Sequence, residues 1–213
     1  MLSRLDNRQR LSGRTRGLAV RQGFDISWNY ADCGRRLKDY APVKKVLLER
    51  FGSLEGKRIL HLGSSTGVLT KHLQNLQAVA VGFDISKNAL KIAKSVKNKS
   101  MVGGNAALSA RAGKHLPFKD NSFDCFVSDH FLLSDYFSFE HEFPDYSRQH
   151  SISIGGSVKA LEDLHRILKP GGIGVIAFYT ADSYFAARAL ILKAGFEIAQ
   201  AKPGLPLVLR KKP

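Results

Sequence analysis

The first residues that could do chemistry form a run of mostly small side chains, the segment HLGSSTG at 61–67. It follows an apolar segment and precedes residues with helical patterning that begin at Val68. Glycine and serine let the chain turn sharply and let a ligand approach the backbone closely. The first amides of the following helix would then point toward that ligand. The segment therefore predicts a ligand-binding turn between a strand and a helix.

A carboxylate ends the next apolar segment, where Asp84 follows Val81-Gly82-Phe83. It lies seventeen residues beyond Gly67, which is close to the distance at which a Rossmann-type site binds ribose hydroxyls. A carboxylate can accept hydrogen bonds from both hydroxyls. The alternative role for this aspartate is to cap the next helix. The turn and the carboxylate together predict a nucleoside site.

The same turn also fits the Gly-x-Ser-x-Gly pattern of a hydrolase nucleophile elbow, with Ser65 as the nucleophile. Such an elbow normally follows several strands, whereas this one follows the first predicted strand. The sequence also offers no convincing downstream Asp and His at strand ends to complete a triad. We therefore favour the nucleoside site over the hydrolase.

Alternating strands and helices must position these residues. We predict helices at 32–51, 68–76, 87–97, 157–168 and 182–194, and strands at 57–62, 78–83, 100–102, 123–128, 173–178, 196–201 and 207–209. Pro170-Gly171-Gly172 is predicted to break the fourth helix before the next strand begins. Strands that alternate with helices of about 10–15 residues form βαβ units, which build a parallel sheet with helices on both faces. The predicted fold class is therefore α/β with a doubly wound sheet.

The composition fits one folded domain. Of the 213 residues, 44% are hydrophobic and 24% are charged, an ordinary balance for a globular chain with a substantial core. No apolar run reaches the roughly 20 residues of a membrane span, and the first residues lack the apolar region of a secretory signal. Cys33 and Cys125 have no metal-ligand spacing, so we expect a reduced, cytoplasmic protein. We predict a basic extension at 1–23 and a domain at 24–213, with an insertion at 128–156.

The charge is strongly positive but unevenly distributed. The chain has 33 Lys and Arg against 18 Asp and Glu, a formal net charge of +15, which favours an anionic partner. Lys87, Lys91, Lys94 and either Lys97 or Lys99 fall at helical spacing and predict a solvated helix face. Residues 120–147 contain no Lys or Arg, whereas seven acidic residues lie there. The charge therefore predicts only a general electrostatic preference for anionic partners, without identifying one.

Four segments of the sequence occur in the order typical of one known family: ILHLGSSTGVLTKHL, VGFDIS, HLPFKDNSFDCFVS and LEDLHRILKPGGIGVIAF. They resemble the class I S-adenosylmethionine-dependent methyltransferases, especially the methyltransferase-11 or ubiquinone-biosynthesis-like group, over about residues 55–200. The resemblance implies a Rossmann-like, seven-stranded, mostly parallel sheet whose last strand is antiparallel. It also implies S-adenosylmethionine as the cofactor, lying across the carboxyl ends of the first strands.

The resemblance places the cofactor-binding residues in the turn, at the end of strand two and in the regions that follow. They are His61, Gly63, Ser64, Ser65, Gly67, Asp84, Ile85, Asn105, Leu116 and Ser128. By resemblance, Asp84 would bind the ribose, Ile85 would pack on the adenine, and Leu116 would lie near the adenine. The family usually has an acid at the position of His61, which helps to orient the methionyl amine, and a glycine at the position of Ser65.

A further departure is the missing acid after the third strand, which in the family bonds the adenine amino group. Either Asn105 or Ala112 stands at its position, depending on which neighbouring motif sets the count. We prefer Asn105, because its carbonyl can still accept a hydrogen bond from an amino group. These departures predict weaker or reshaped cofactor binding and leave open a non-catalytic protein that keeps the fold.

The residues predicted to contact the methyl acceptor lie in the insertion at 128–156. It is rich in aromatic residues interleaved with acids, and by resemblance it forms a lid or pocket wall, with an ordinary packed insertion as the alternative. Phe131 and Tyr136 are the predicted substrate-binding residues. Asp129 and His130 directly follow the fourth strand and are the predicted catalytic residues, with His130 as general base for an oxygen or nitrogen acceptor. No metal site is predicted.

Three hypotheses remain for the function. The first is methyl transfer to a small or lipid-like acceptor, which the acid-rich insertion favours because it would repel phosphate near the reacting group. The second is an RNA methyltransferase that binds its substrate through the basic amino-terminal arm. The third is a non-catalytic binding protein with the same fold. The sequence predicts neither the acceptor atom nor the oligomeric state.

Overall fold

The computed structural model describes residues 40–84, 87–95, 100–103, 115–128, 154–176, 188–202 and 204–213. Its helices are α1 (Ala41–Phe51), α2 (Val68–Asn75), α3 (Lys87–Ser95) and α4 (Ile154–Ile167). Its strands are β1 (Arg58–Leu62), β2 (Val79–Asp84), β3 (Met101–Gly103), β4 (Phe123–Ser128), β5 (Leu168–Ile176), β6 (Phe196–Gln200) and β7 (Leu207–Lys211). Residues 188–193 are also helical. No helix in these ranges is both long and apolar enough to cross a membrane.

The strands of the described ranges form one sheet in the order β3-β2-β1-β4-β5-β7-β6. Strands β1 to β5 pair with one another in parallel, whereas β7 runs antiparallel to both β5 and β6. The prediction of a seven-stranded, mostly parallel sheet with an antiparallel last strand is confirmed. The strand order reverses at the β1–β4 pair, and in such sheets ligands bind at the carboxyl ends of the strands beside the reversal.

Side chains of each strand point alternately to the two faces of the sheet, and helices pack against both faces. On one face, Leu60 and Leu62 of β1 belong to a core that includes Leu161 and Leu164 of α4. On the other face, Ile59 belongs to a second core, whose helical members come from α1 and α2. The predicted doubly wound arrangement therefore holds.

Helix α1 has a proline near its start and a glycine at its end. Pro42 lies in the first turn of α1, where its missing N–H costs no helical hydrogen bond. Gly52 adopts a φ of +68° just after the helix and donates its N–H to the Leu48 carbonyl at 2.8 Å. The chain then leaves the helix toward β1, which brings the buried residues of α1 against the sheet.

The prediction for the start of β5 was wrong. The strand begins at Leu168 instead of residue 173, and Leu168 pairs with Phe123 across an irregularity in the register. Gly171 has a φ of +72°, so the Pro-Gly-Gly sequence bends the strand without ending it. The preceding helix ends at Ile167, where the amides of Asn121 and Ser122 bind two of its last carbonyls. Long-range pairing therefore overrides the local break.

Several predicted segments lie outside the described residues. These are the extension at 1–23, the first turns of the first predicted helix, the end of the third predicted helix, most of the insertion at 128–156, the end of the strand predicted at 173–178 and the first half of the helix predicted at 182–194. The two ends of that insertion are described, and they belong to regular structure: Ser128 ends β4, and α4 begins at Ile154.

Candidate functional site

The bend after β1 is held against the end of β2 by its own amides. Gly63 and Ser64 both donate their N–H groups to the Phe83 carbonyl, at 2.9 and 3.3 Å. Gly63 and Gly67 have φ values of +65° and +82°, which glycine adopts without a steric penalty. The bend therefore closes tightly and delivers Gly67 to the amino end of α2.

The structure brings the bend and the predicted ribose carboxylate together. The Ser65 N–H donates a hydrogen bond to Asp84 Oδ2 at 2.7 Å, and both residues are only half-buried. Asp84 thus links the turn to β2. A carboxylate at this position is the group that the sequence predicts for binding ribose hydroxyls.

Ser65 adopts a backbone conformation that L side chains rarely use. Its φ is +48°, in the left-handed region, which costs a residue with a Cβ about 1–2 kcal/mol. The family that the sequence resembles usually has a glycine at this position, and glycine would avoid the cost. The hydrogen bond to Asp84 helps to hold the strained conformation. Strain of this kind tends to persist at binding sites, where the surrounding structure fixes the backbone.

His61 is fully buried between the sheet and the helices of the second core. Its Nδ1 atom lies 3.0 Å from Thr70 Oγ1 of α2, and its ring meets the Tyr40 ring edge-on at 6.4 Å between centroids. The residue that replaces the family's acid is therefore part of a buried polar pair beside the bend. Direct contact between His61 and the cofactor remains a prediction.

Ser128 places a buried hydroxyl at the carboxyl end of β4. It lies in register between Leu62 of β1 and Ile176 of β5, and it is fully buried. Its Oγ atom has no hydrogen-bond partner among the described residues. Buried polar groups almost always find a partner in protein, water or ligand. An unsatisfied hydroxyl at the ligand-binding edge of the sheet therefore fits the predicted contact with the cofactor.

The loop before β4 lies next to the same end of β2. Leu116 is buried in the core that contains Phe83, and the Phe118 ring meets the Phe83 ring at 6.0 Å between centroids. Phe83 directly precedes Asp84 in β2. The loop thus places an apolar residue, Leu116, in the neighbourhood predicted for the adenine.

The remaining predicted site residues lie outside the described ranges. They are Ile85, Asn105, Asp129, His130, Phe131 and Tyr136. Their assigned roles in cofactor binding, catalysis and acceptor binding stay predictions. Sequence reasoning also missed two residues that the structure connects to Leu116, namely Asp163 and Arg166 of α4. The sequence does show an acid and a base three positions apart in a predicted helix. Such pairs are also common on solvent-exposed helix faces, so the spacing did not indicate a role.

The described groups suit a nucleoside whose base packs against an apolar side chain. Asp84 is a carboxylate of the kind that binds a ribose diol, it accepts a hydrogen bond from a Gly-containing bend of the kind that ligands approach closely, and Ser128 adds a buried hydroxyl. Leu116 supplies an apolar surface near them. This set of groups fits the adenosyl part of S-adenosylmethionine.

Comparison with known proteins identifies a methyltransferase domain. A family model described as "Methyltransferase domain" matches residues 53–200. The ubiquinone/menaquinone biosynthesis C-methyltransferase UbiE of Vibrio cholerae is 29% identical over 132 residues, which cover 61% of this chain and 44% of that protein. The UbiE protein of Yersinia enterocolitica is 31% identical over 133 residues, covering 61% and 45%. The chain thus spans less than half the length of these curated relatives.

Solved structures share the fold at low sequence identity. A methyltransferase in complex with the Haloferax volcanii Trm112 methyltransferase activator has a TM-score of 0.62 and 20% identity, with 91% of this chain and 97% of that chain covered. A TehB-like S-adenosylmethionine-dependent methyltransferase from Corynebacterium glutamicum has a TM-score of 0.60 and 17% identity, covering 92% and 100%. The family match extends over more than half of the sequence. The chain therefore belongs to the methyltransferase domain family, as a class I methyltransferase with S-adenosylmethionine as its cofactor.

Proposed function

We propose that this chain transfers a methyl group from S-adenosylmethionine to a small or lipid-like acceptor. The observation that carries the proposal is the 2.7 Å hydrogen bond between the Ser65 amide and Asp84 Oδ2. This bond joins the strained bend to Asp84 at the carboxyl ends of β1 and β2, and Asp84 is the carboxylate that we propose to bind the ribose. Ile85 and Leu116 would enclose the adenine, and Asn105 would accept a hydrogen bond from its amino group.

The protein's part in the reaction is mainly one of placement. When bound, S-adenosylmethionine supplies a methyl group on a positively charged sulfur, which is already a reactive donor. The chain must hold the acceptor atom in line with that methyl group and exclude water, and such placement alone gives large rate gains. The methyl group replaces a proton on the acceptor, and we propose that His130, beside Asp129, takes up that proton.

An aromatic, weakly charged acceptor suits the insertion best. Residues 129–153 are rich in Phe and Tyr, including Phe131 and Tyr136, which could stack on a flat ring. The absence of Lys and Arg from residues 120–147 would disfavour a phosphorylated group near the reacting methyl. The curated relatives are named for C-methylation in ubiquinone and menaquinone biosynthesis. We therefore propose a quinone-like ring as the acceptor class, with transfer to carbon.

RNA is the second candidate acceptor, and one observation favours it. The net charge is +15, and Lys91 and Lys94 are exposed together on α3. A non-catalytic role is favoured by two departures from the family, His61 at the position of one acid and the missing acid after the third strand. We further propose the cytoplasm as the compartment, because the buried, free thiol of Cys125 suits a reducing environment.

Transfer of a labelled methyl group tests the proposed function. We expect wild-type protein, incubated with S-adenosylmethionine labelled in the methyl group, to label a short-chain quinol that lacks a ring methyl. Substitution His130→Ala should lower this transfer about 100-fold, because it removes the proton acceptor. Scintillation counting of an organic extract measures the product.

Parallel reactions with total RNA distinguish the alternatives. Label that enters RNA but not the quinol, with binding that weakens steeply as salt increases, would favour the RNA methyltransferase. Label in neither acceptor, together with undetectable cofactor binding at millimolar concentration, would favour the non-catalytic protein.

A further inference from the structure

A pair of charged residues on α4 holds the loop that contains Leu116. Asp163 is 5% exposed and accepts a hydrogen bond from the Leu116 N–H through Oδ2. Its other oxygen, Oδ1, lies 2.6 Å from Arg166 Nε and 2.8 Å from His115 Nδ1. The carboxylate therefore connects the helix to two consecutive residues of the loop.

Arg166 completes the attachment from the next turn of the helix. Its Nη1 donates to the Phe118 carbonyl at 3.0 Å, and its Nη2 donates to the Leu116 carbonyl at 3.3 Å. The same guanidinium forms an ion pair with Asp120. Both backbone polar groups of Leu116 are thus bound by α4, the N–H by Asp163 and the carbonyl by Arg166.

The electrostatics keep this pair charged. Burial alone would raise the pKa of Asp163, but hydrogen bonds from Arg166, the Leu116 amide and His115 bring it below its usual value. The hydrogen bond to Asp163 in turn raises the pKa of Arg166. A buried ion pair often adds little net stability compared with apolar side chains of similar volume. Accurate placement of the loop is therefore a better explanation for the pair than stability alone.

The loop that the pair holds lies beside the predicted ribose site. Phe118 packs against Phe83, whose neighbour Asp84 binds the bend. Because α4 occupies the N–H and the carbonyl of Leu116, this residue can meet a base mainly through its apolar side chain. We propose that Asp163 and Arg166 are positioning residues that fix Leu116 as the apolar wall for the adenine. This inference rests on the proposed cofactor site.

Asp124 offers a matched control for Asp163. Like Asp163, it accepts hydrogen bonds from a backbone amide, that of Arg58 at 2.8 Å, and from a basic side chain, that of Lys169 at 2.7 Å. Its side chain is 17% exposed, and despite burial its pKa is lowered by Lys169 and the Arg58 amide. It lies at the amino end of β4, at the opposite end of that strand from Ser128. Loss of its charge should disturb folding without disturbing the cofactor site.

Calorimetric binding of S-adenosylhomocysteine to the full chain tests the inference. We expect Asp163→Asn and Asp124→Asn both to lower the melting temperature, but only Asp163→Asn to weaken binding, by about tenfold, because one wall of the site shifts. In the transfer reaction, Asp163→Asn should raise KM for S-adenosylmethionine more than it lowers kcat. Hydrogen exchange at the Leu116 amide should also become faster in this variant alone.

Arg166→Lys keeps the positive charge but cannot form the forked contacts to two carbonyls. We expect it to weaken binding like Asp163→Asn, and it replaces that variant if the latter fails to fold. Equal affinity for wild type, Asp163→Asn and Arg166→Lys would overturn the inference. If Asp84→Ala binds much more weakly than wild type, equal affinities of wild type and the α4 variants would leave the proposed function intact. Absence of binding by wild type would overturn both.

Discussion

Replacement of Asp84 by alanine should weaken S-adenosylhomocysteine binding by about 100-fold. The carboxylate is expected to accept two charge-assisted hydrogen bonds from the ribose, and their loss is worth about 3 kcal/mol in binding free energy. The substitution also removes the acceptor of the Ser65 amide, so the bend loses the contact that helps to hold its strained conformation. Calorimetric titration of the folded variant measures the change.

Asp84→Asn separates the loss of the ribose hydrogen bonds from the loss of the contact with the Ser65 amide. Its amide oxygen can still accept the Ser65 N–H, but it can no longer offer an ionised acceptor to both hydroxyls. We expect about tenfold weaker binding, between wild type and Asp84→Ala. Asp124→Ala, at the opposite edge of the sheet, should bind like wild type. Wild-type affinity in Asp84→Ala would show that this carboxylate does not bind the ligand.

The largest stability loss is expected for Gly174→Ala in β5. An added Cβ would lie 2.2 Å from Cζ and 2.5 Å from Cε1 of Phe126, whereas carbon atoms in contact prefer about 3.5–4.0 Å. Phe126 is fully buried, pairs in register with Gly174 and meets the Phe196 ring at 6.0 Å between centroids. The ring has little room to move, so overpacking should lower the free energy of unfolding by about 3 kcal/mol.

Gly171→Ala is the control for this substitution, because it adds the same methyl group to the same strand. Nothing lies within 4 Å of a Cβ at Gly171, although its φ is +72°. We expect a loss of about 1 kcal/mol from backbone strain alone. Urea unfolding compares the two variants, and Phe126→Leu in the Gly174→Ala background should recover part of the loss. Equal stabilities of the two glycine variants would contradict the steric role of the Phe126 ring.

The fold could be predicted from the sequence where local pattern and global packing agree. The apolar segments at β1 and β4 and the helical patterning of α2 correspond to observed elements within a few residues. The spacing between Gly67 and Asp84 predicted that the carboxylate would meet the bend, because it is set by one helix and one strand. Both features are local enough to be encoded in a short stretch of chain.

Features that depend on distant pairing could not be predicted in this way. The start of β5 at Leu168 depends on its pairing with Phe123, which local signals at Pro170-Gly171-Gly172 oppose. Asp163 binds a loop that lies 47 residues away in sequence. In the sequence alone, its i, i+3 spacing from Arg166 looks like that of an ordinary ion pair on an exposed helix face. Long-range contacts of this kind leave little trace in local composition.

A crystal structure with S-adenosylhomocysteine tests most directly whether the bend at 63–67 and Asp84 form one nucleoside site. We expect both ribose hydroxyls within hydrogen-bonding distance of the Asp84 carboxylate, with the amino-acid part of the ligand over the bend and the base against Leu116. A ligand bound elsewhere on the sheet, or an Asp84 carboxylate directed away from the ribose, would contradict the proposed site.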